Sequence, residues 1–336
     1  MIIIYFRSSL LNGWEFCQHK TFINYCLGIE EESGKKAVLG TMTHKVLELL
    51  AECKKRTQIN SNDDIKDDAV GTIDCNFDYM LNINIDRLCE KVFDYYKNKS
   101  QRDYSKTDLD SIKEWVYIVL TQQNGNYDPR KREIFSTEQH FDLEIDKPWA
   151  KYSYELKGEK FSTNLHIKGT IDLITSIDED TIEVIDWKTG ASRKNWATGK
   201  EKSYEDLCKD NQLMFYYYAL NKLYPNKNVI FTINFIRAGG PFTLCFDKED
   251  LEKTEKFIEQ RAKEMWSTTL PKMLSPRQTD FRCTRLCEYY KNKYPGSDKN
   301  ICRFVHDHIT DNGIQITTEQ LMAEGFKLGT YSNPGE

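Results

Sequence analysis

Apolar positions along the chain follow two regimes. Up to about residue 130 they recur at helical spacing; beyond it they alternate or run together over strand lengths. Residues 8 to 28 read as a helix capped by Ser8 or Ser9, with Leu11, Trp14, Phe22 and Leu27 among its apolar positions. A second helix runs from Gly40: Val46, Leu47, Leu50 and Ala51 share one face, Lys45, Glu48 and Glu52 face out, and His44 sits in its first turns. The stretch from about 55 to 130 is polar, opens with the acidic "NSNDDIKDD", and holds two amphipathic helices. One spans Tyr79 to Lys97, and the other presents Ile112, Trp115, Val116, Val119 and Leu120. After "DPRKRE" the segments "STEQHFDLEI", "NLHIKGTIDLITSI" and "TIEVIDWK" read as three strands, the last two joined by the turn "DED". A long helix, "YEDLCKDNQLMFYYYALNKLY", ends before Pro225 and gives way to the strand "VIFTINFIR", the arm "PFTLCF" and a helix over 248–266. The pattern predicts an α/β protein organised as N-terminal helices (1–54), a helical insertion (55–132), a core of sheet and helices (133–270) and an irregular, cysteine-bearing segment (271–336).

Composition narrows the class. With 336 residues, 39% of them hydrophobic, the chain can bury a full core. No apolar run approaches a membrane span, and the patch in "MIIIYFRSSLLNGW" is too short for a secretory signal, so an intracellular, cytoplasmic protein is expected. Ten cysteines in a reducing compartment are thiols or metal ligands rather than a disulfide framework. A net charge of -5 argues against coating nucleic acid by bulk electrostatics but leaves room for a local basic groove. The G-x-x-x-x-G-K-[ST] phosphate loop of a helicase is not present.

The candidate chemistry sits at strand ends. Asp172 closes the apolar approach of "KGTIDL", and Asp186 with Lys188 closes the next strand, so a hairpin brings two carboxylates together. Paired carboxylates repel unless a hard divalent cation lies between them, which makes a Mg²⁺ or Mn²⁺ site. Lys188, two residues after Asp186, shares its side of the strand and is placed to orient a water or to stabilise charge growing on a phosphate. Taken alone, Asp-x-Lys is equally a structural ion pair, His44 a core histidine, and Gln212 with Tyr216 a surface edge of a helix. The set changes that balance: "GTMTHKVLE", "KGTIDLI", "VIDWKTG" and "NQLMFYYYAL" follow one another on helix, strand, strand and helix.

Those four motifs give the chain a resemblance to the RecB-type nucleases of the PD-(D/E)XK superfamily, similar to RecB-like exonucleases of phages and of CRISPR adaptation modules. The resemblance runs from residue 8 to about 302, apart from the insertion. It implies a restriction-endonuclease-like core with a mixed central sheet flanked by helices. It further implies that His44, Asp172 and Asp186 bind the Mg²⁺ or Mn²⁺, that Lys188 serves the nucleophilic water, and that the helix carrying Gln212 and Tyr216 lines the DNA-binding face. An imidazole ligand would tilt the site toward Mn²⁺. Arg193, Lys194, Lys200 and Lys202 then either track a phosphate backbone or form a solvated charged loop. The implied activity is a metal-dependent DNA exonuclease acting on single strands or duplex ends in recombination, repair or phage DNA metabolism, with recombination or replication proteins as partners. A non-cutting DNA-end-binding subunit and a structure-specific endonuclease are the other readings.

Cys26, Cys53, Cys75, Cys89, Cys208 and Cys245 lie in apolar or helical settings and are read as small hydrophobes. Cys283, Cys287 and Cys302 cluster near the C-terminus, and Cys17 stands alone near the other end. Relatives in the resembled family join the chain ends through an iron-sulfur cluster on one N-terminal and three C-terminal cysteines, which implies a 4Fe-4S group on Cys17, Cys283, Cys287 and Cys302. The spacing also admits zinc on Cys283, Cys287 and Cys302 with His306 or His308, or no metal at all. In either metal-bound form the C-terminal segment is a stapled one that packs against the N-terminal helix.

Overall fold

The computed structural model describes residues 1–31, 33–59, 63–74, 83–100, 102–194, 199–277 and 279–326. The chain divides into two compact units, one made of Met1–Glu32, Phe141–Gly169 and Lys248–Glu336, the other of Ser33–His140 and Thr170–Asp247. All six residues of the expected active site fall in the second unit, together with the described part of the 55–132 region.

That unit contains helices α1 (Lys35–Gln58), α2 (Ile85–Lys99) and α3 (Lys106–Gly125), then β1 (Glu133–Glu144), β2 (His166–Ser176) and β3 (Thr181–Lys188), where β1 and β2 each continue beyond its borders. It is completed by α4 (Tyr204–Leu207), α5 (Asn211–Leu223), β4 (Asn228–Phe235) and β5 (Phe242–Cys245). The sheet is mixed: β2 and β3 are antiparallel, β3 and β4 parallel, β4 and β5 antiparallel. Apolar stripes of α1, α2 and α3 close on one face of this sheet through Leu173, Ile185, Trp187 and Ile236. Six of the eight residues of β3 are buried, which accounts for its nearly continuous apolar reading.

The second face-directed residue of β3 is an exception to that apolar rule. Glu183 is buried, and its carboxylate is taken up by Arg132 and by the Thr232 hydroxyl, while Arg132 Nη2 also reaches Thr175 Oγ1 at 2.8 Å. A buried carboxylate is tolerable only with such partners.

Several elements differ from the sequence expectation for local reasons. The helix over 8–28 is broken: Ser8–Phe16 ends at Cys17, whose extended backbone (φ -166°, ψ 111°) lets its sulfur accept the Lys20 N–H and start a new turn. The helix expected from Tyr204 is likewise two helices, because extended Asp210 caps α5 by accepting the Gln212 N–H at 3.0 Å. The acidic tract holds a hairpin, Ile65–Asp67 with Gly71–Ile73. Helix α2 begins after the Asn84 cap, and the expected start at Tyr79 lies outside the described residues, as does Cys75.

In the other unit, Lys151–Leu156 pairs with Glu159–Asn164 across Lys157 and Gly158, both at positive φ (52° and 79°) as a two-residue hairpin loop requires. This hairpin has no counterpart in the expected elements. The cysteine-bearing segment is helical over Phe281–Leu286, Glu288–Lys291, Ile301–Asn312 and Ile314–Ala323 rather than irregular. It packs on the N-terminal helices as expected: the His19 N–H donates to Lys272 O (3.1 Å), Asn24 Nδ2 to Tyr289 Oη (3.2 Å) and the Glu288 N–H to Glu31 Oε1 (3.2 Å).

Candidate active site

The C-terminal end of β3 lies beside β2 on one side and β4 on the other, and it presents Asp186 and Lys188 two residues apart. Lys188 Nζ sits 2.6 Å from Asp186 Oδ2. Asp172, from β2, accepts the Trp187 N–H at Oδ2 (2.9 Å), and His44 Nδ1 of α1 approaches the same oxygen at 3.6 Å. Gln212 ties the pair together: its Oε1 accepts from Lys188 (3.3 Å), and its Nε2 donates to Asp186 Oδ1 (3.2 Å) and to Tyr216 Oη (3.2 Å). One helical turn separates Gln212 from Tyr216, so both stand on the same face of α5. Tyr216 is buried and donates its hydroxyl to Thr170 O at 3.1 Å. It therefore braces the strand that carries Asp172. The structure thus brings together all six residues singled out in this unit.

Charge follows from that geometry. Burial works against the ammonium of Lys188, but Asp186 and Asp172 overcome it and hold the lysine above its ordinary pKa. In this metal-free arrangement Lys188 is a cation at neutral pH. The two carboxylates part company. Burial raises both, and for Asp172 the charges of His44 and Lys188 with the Trp187 N–H reverse the effect and hold it below the usual range. Asp186 stays above its usual range, because the Asp172 charge adds to burial and Lys188 offsets only part. His44 is disfavoured as a cation by burial but is drawn net upward by Asp172 and Asp186.

A model of the PD-(D/E)XK nuclease superfamily matches residues 9–291. The chain belongs to this superfamily. No match was found among curated proteins. Among solved structures, a candidate exonuclease from Eubacterium rectale is similar at 10% identity and a TM-score of 0.37, with 82% of this chain and 98% of that chain covered.

In a PD-(D/E)XK nuclease the donor set of Asp172, Asp186 and His44, two carboxylates and an imidazole in one corner, fits a hard to borderline divalent cation. Among the described residues no group of three or more His, Cys, Asp or Glu side chains is arranged to hold a metal ion, and the Asp186 carboxylate is engaged by Lys188 and Gln212. A divalent cation held by Asp186 would require that carboxylate to loosen from Lys188.

Two further residues belong to the site. Gly40, one turn before His44, admits the β3 exit: a Cβ there would lie 2.5 Å from Thr189 Oγ1. The glycine of "GTMTH" was the visible signal for it. Glu138 carried no signal at all. It lies in β1 with a left-handed φ of 43°, which a non-glycine residue adopts only at some cost. Burial pushes its carboxyl from 4.5 up to about 7, with Asp172 and Glu48 adding and His44 and Lys45 opposing. Because the folded pKa exceeds the unfolded one, the stabilising contribution of the protonated form is present below about pH 4.5 and is lost as pH rises through about 7. Glu138→Gln, which mimics the protonated form, is expected to raise Tm over wild type at pH 8 and to leave it unchanged at pH 4. Melting curves in chelator check this, and an equal offset at both pH values would contradict it.

In the other unit Cys17, Cys283, Cys287 and Cys302 line one cleft with Lys20, Arg282 and Tyr289. Neither His306 nor His308 lines it. His308 Nδ1 is instead engaged by Thr317 and Asn312, and His306 packs edge-on against His19. Burial pushes the Cys287 thiol up to about 11 and raises that of Cys283. No helix among the described residues is long and apolar enough to cross a membrane.

Proposed function

We propose that this PD-(D/E)XK nuclease is a metal-dependent DNA exonuclease of RecB type that hydrolyses phosphodiesters of single strands or duplex ends in recombination, repair or phage DNA metabolism. The observation that carries the reading is the Gln212 amide, which bonds Lys188 with its oxygen and Asp186 with its nitrogen. The amide joins the helix motif to both charged side chains of the strand motif at one strand end, within the residues that match the nuclease superfamily. Asp172, Asp186 and His44 would hold Mg²⁺ or Mn²⁺, which supplies Lewis acidity and a nucleophilic water at neutral pH. Lys188, kept cationic, faces the charge that grows on the phosphate, and Tyr216 keeps the Asp172 strand in place.

Digestion of end-labelled linear single-stranded DNA beside a circle of the same sequence tests the reading in Mn²⁺. Loss of the linear form alone, abolished by Asp186→Ala, is the expected result. Cleavage of the circle moves the assignment to an endonuclease. Binding without cleavage of either leaves a DNA-end-binding subunit. Activity far higher in Mg²⁺ than in Mn²⁺ would remove His44 from the ligand set.

We also infer a 4Fe-4S cluster on Cys17, Cys283, Cys287 and Cys302: the four cysteines line one cleft that neither candidate histidine lines, although their thiols are not drawn together into a metal-holding group. Anaerobically purified protein is expected to be coloured, with a band near ~400 nm that Cys17→Ala removes. Colourless protein with stoichiometric zinc would assign the site to zinc on the three C-terminal cysteines.

A further inference from the structure

The basic residues of the β3 exit do not all face outward. Arg193 Nη2 lies 3.3 Å from Glu201, with its guanidinium over Phe242 at 4.7 Å, and Lys202 Nζ lies 2.6 Å from Asp210. These charges are already met by carboxylates, Glu201 in the same loop and Asp210 at the cap of α5. Arg237 differs. It follows the end of β4 by two residues, is exposed, and has no carboxylate of the described residues at ion-pair distance. Its guanidinium lies over the buried Trp115 ring at 4.7 Å, and Nη1 donates to Thr189 O at 3.4 Å. Thr189 is the residue after Lys188, and the Ile236 N–H bonds Lys188 O at 3.1 Å. A flat cation is therefore held beside the catalytic strand, and among the described residues its Nε and Nη2 have no hydrogen-bond partner.

Resting on the nuclease reading above, we infer that Arg237 is the positioning residue that grips a backbone phosphate next to the scissile one. The indole platform fixes the guanidinium before the substrate arrives, so little side-chain freedom is lost on binding. The carbonyl contact takes one N–H and leaves the edge that suits two phosphate oxygens. Such a contact carries no sequence information, as a nuclease that degrades any strand requires.

The test measures binding of a fluorescein-labelled single-stranded oligonucleotide in chelator across salt concentrations, and kcat and KM in Mn²⁺, for wild type, Arg237→Ala and Arg237→Lys. Arg237→Ala is expected to raise Kd and KM by about 5- to 20-fold with kcat within twofold of wild type, and to lower the salt slope by about 0.7, the value for one phosphate contact on a single strand. Arg237→Lys should restore the slope, since it restores the charge. A weakened Arg237→Ala protein with an unchanged slope would make Arg237 a structural cap on Trp115 and overturn the inference, as would wild-type binding. Wild-type protein that neither binds nor cuts DNA would overturn the nuclease reading itself, and Arg237 with it.

Discussion

Lys188→Ala is expected to lower kcat for phosphodiester cleavage by about 10²–10³-fold, the range for removing one preorganised group that faces developing charge. The protein should still fold and bind DNA. The cause is electrostatic: in the metal-free site Asp186 and Asp172 hold Lys188 above its ordinary pKa, so the side chain lost is a cation placed at the strand end. Removing the ammonium also leaves Asp186, at 5% exposure, with the Gln212 amide but no cation beside it and favours its protonated form. Lys188→Arg keeps the charge but not the compact geometry and should retain part of the rate. Single-turnover cleavage, with binding measured separately, checks the set. Wild-type rates for Lys188→Ala would reduce the Asp-Trp-Lys strand to a structural ion pair.

The largest loss of stability is expected at Arg132→Ala, about 3–5 kcal/mol by chemical denaturation, because it strands the buried Glu183 carboxylate. Thr232 can still donate to Glu183, and Thr175 loses a partner as well. Adding Glu183→Gln removes the uncompensated charge, so the double variant should be more stable than Arg132→Ala alone. Additive losses in the two single variants would show that the pair is not coupled. Glu183 stands three residues before Asp186 on β3, so this cluster supports the strand that carries the site.

Much of the candidate site was legible because its residues sit on periodic elements. The strand Thr181–Lys188 is bounded as its apolar run and charged exit suggest, and the hairpin that brings Asp172 to Asp186 follows from strand lengths and one turn. Tyr216 was harder to place. Its motif suggests a DNA-facing role, whereas its hydroxyl is committed to a backbone carbonyl that has no side-chain signature. Glu138 and Arg237 were invisible for a related reason: each owes its position to a local backbone departure or to an aromatic ring more than a hundred residues away in sequence. The two broken helices were missed because a capping side chain, Cys17 or Asp210, interrupts a pattern whose apolar spacing continues across the break.

The alternation along β3 restricts how this protein can change over generations. Asp186 and Lys188 occupy one parity of the strand, and Glu183, Ile185 and Trp187 the other. Deleting one residue between Ile182 and Asp186 would shift Asp186, Trp187 and Lys188 by one parity against the first half of the strand, turning the reactive pair toward the side now held by Ile185 and the indole. A deletion scan should thus find this segment intolerant throughout. Lineages of this enzyme would then be expected to vary in length at the turn Asp178–Asp180, where the chain is exposed, and to leave the strand's residue count untouched.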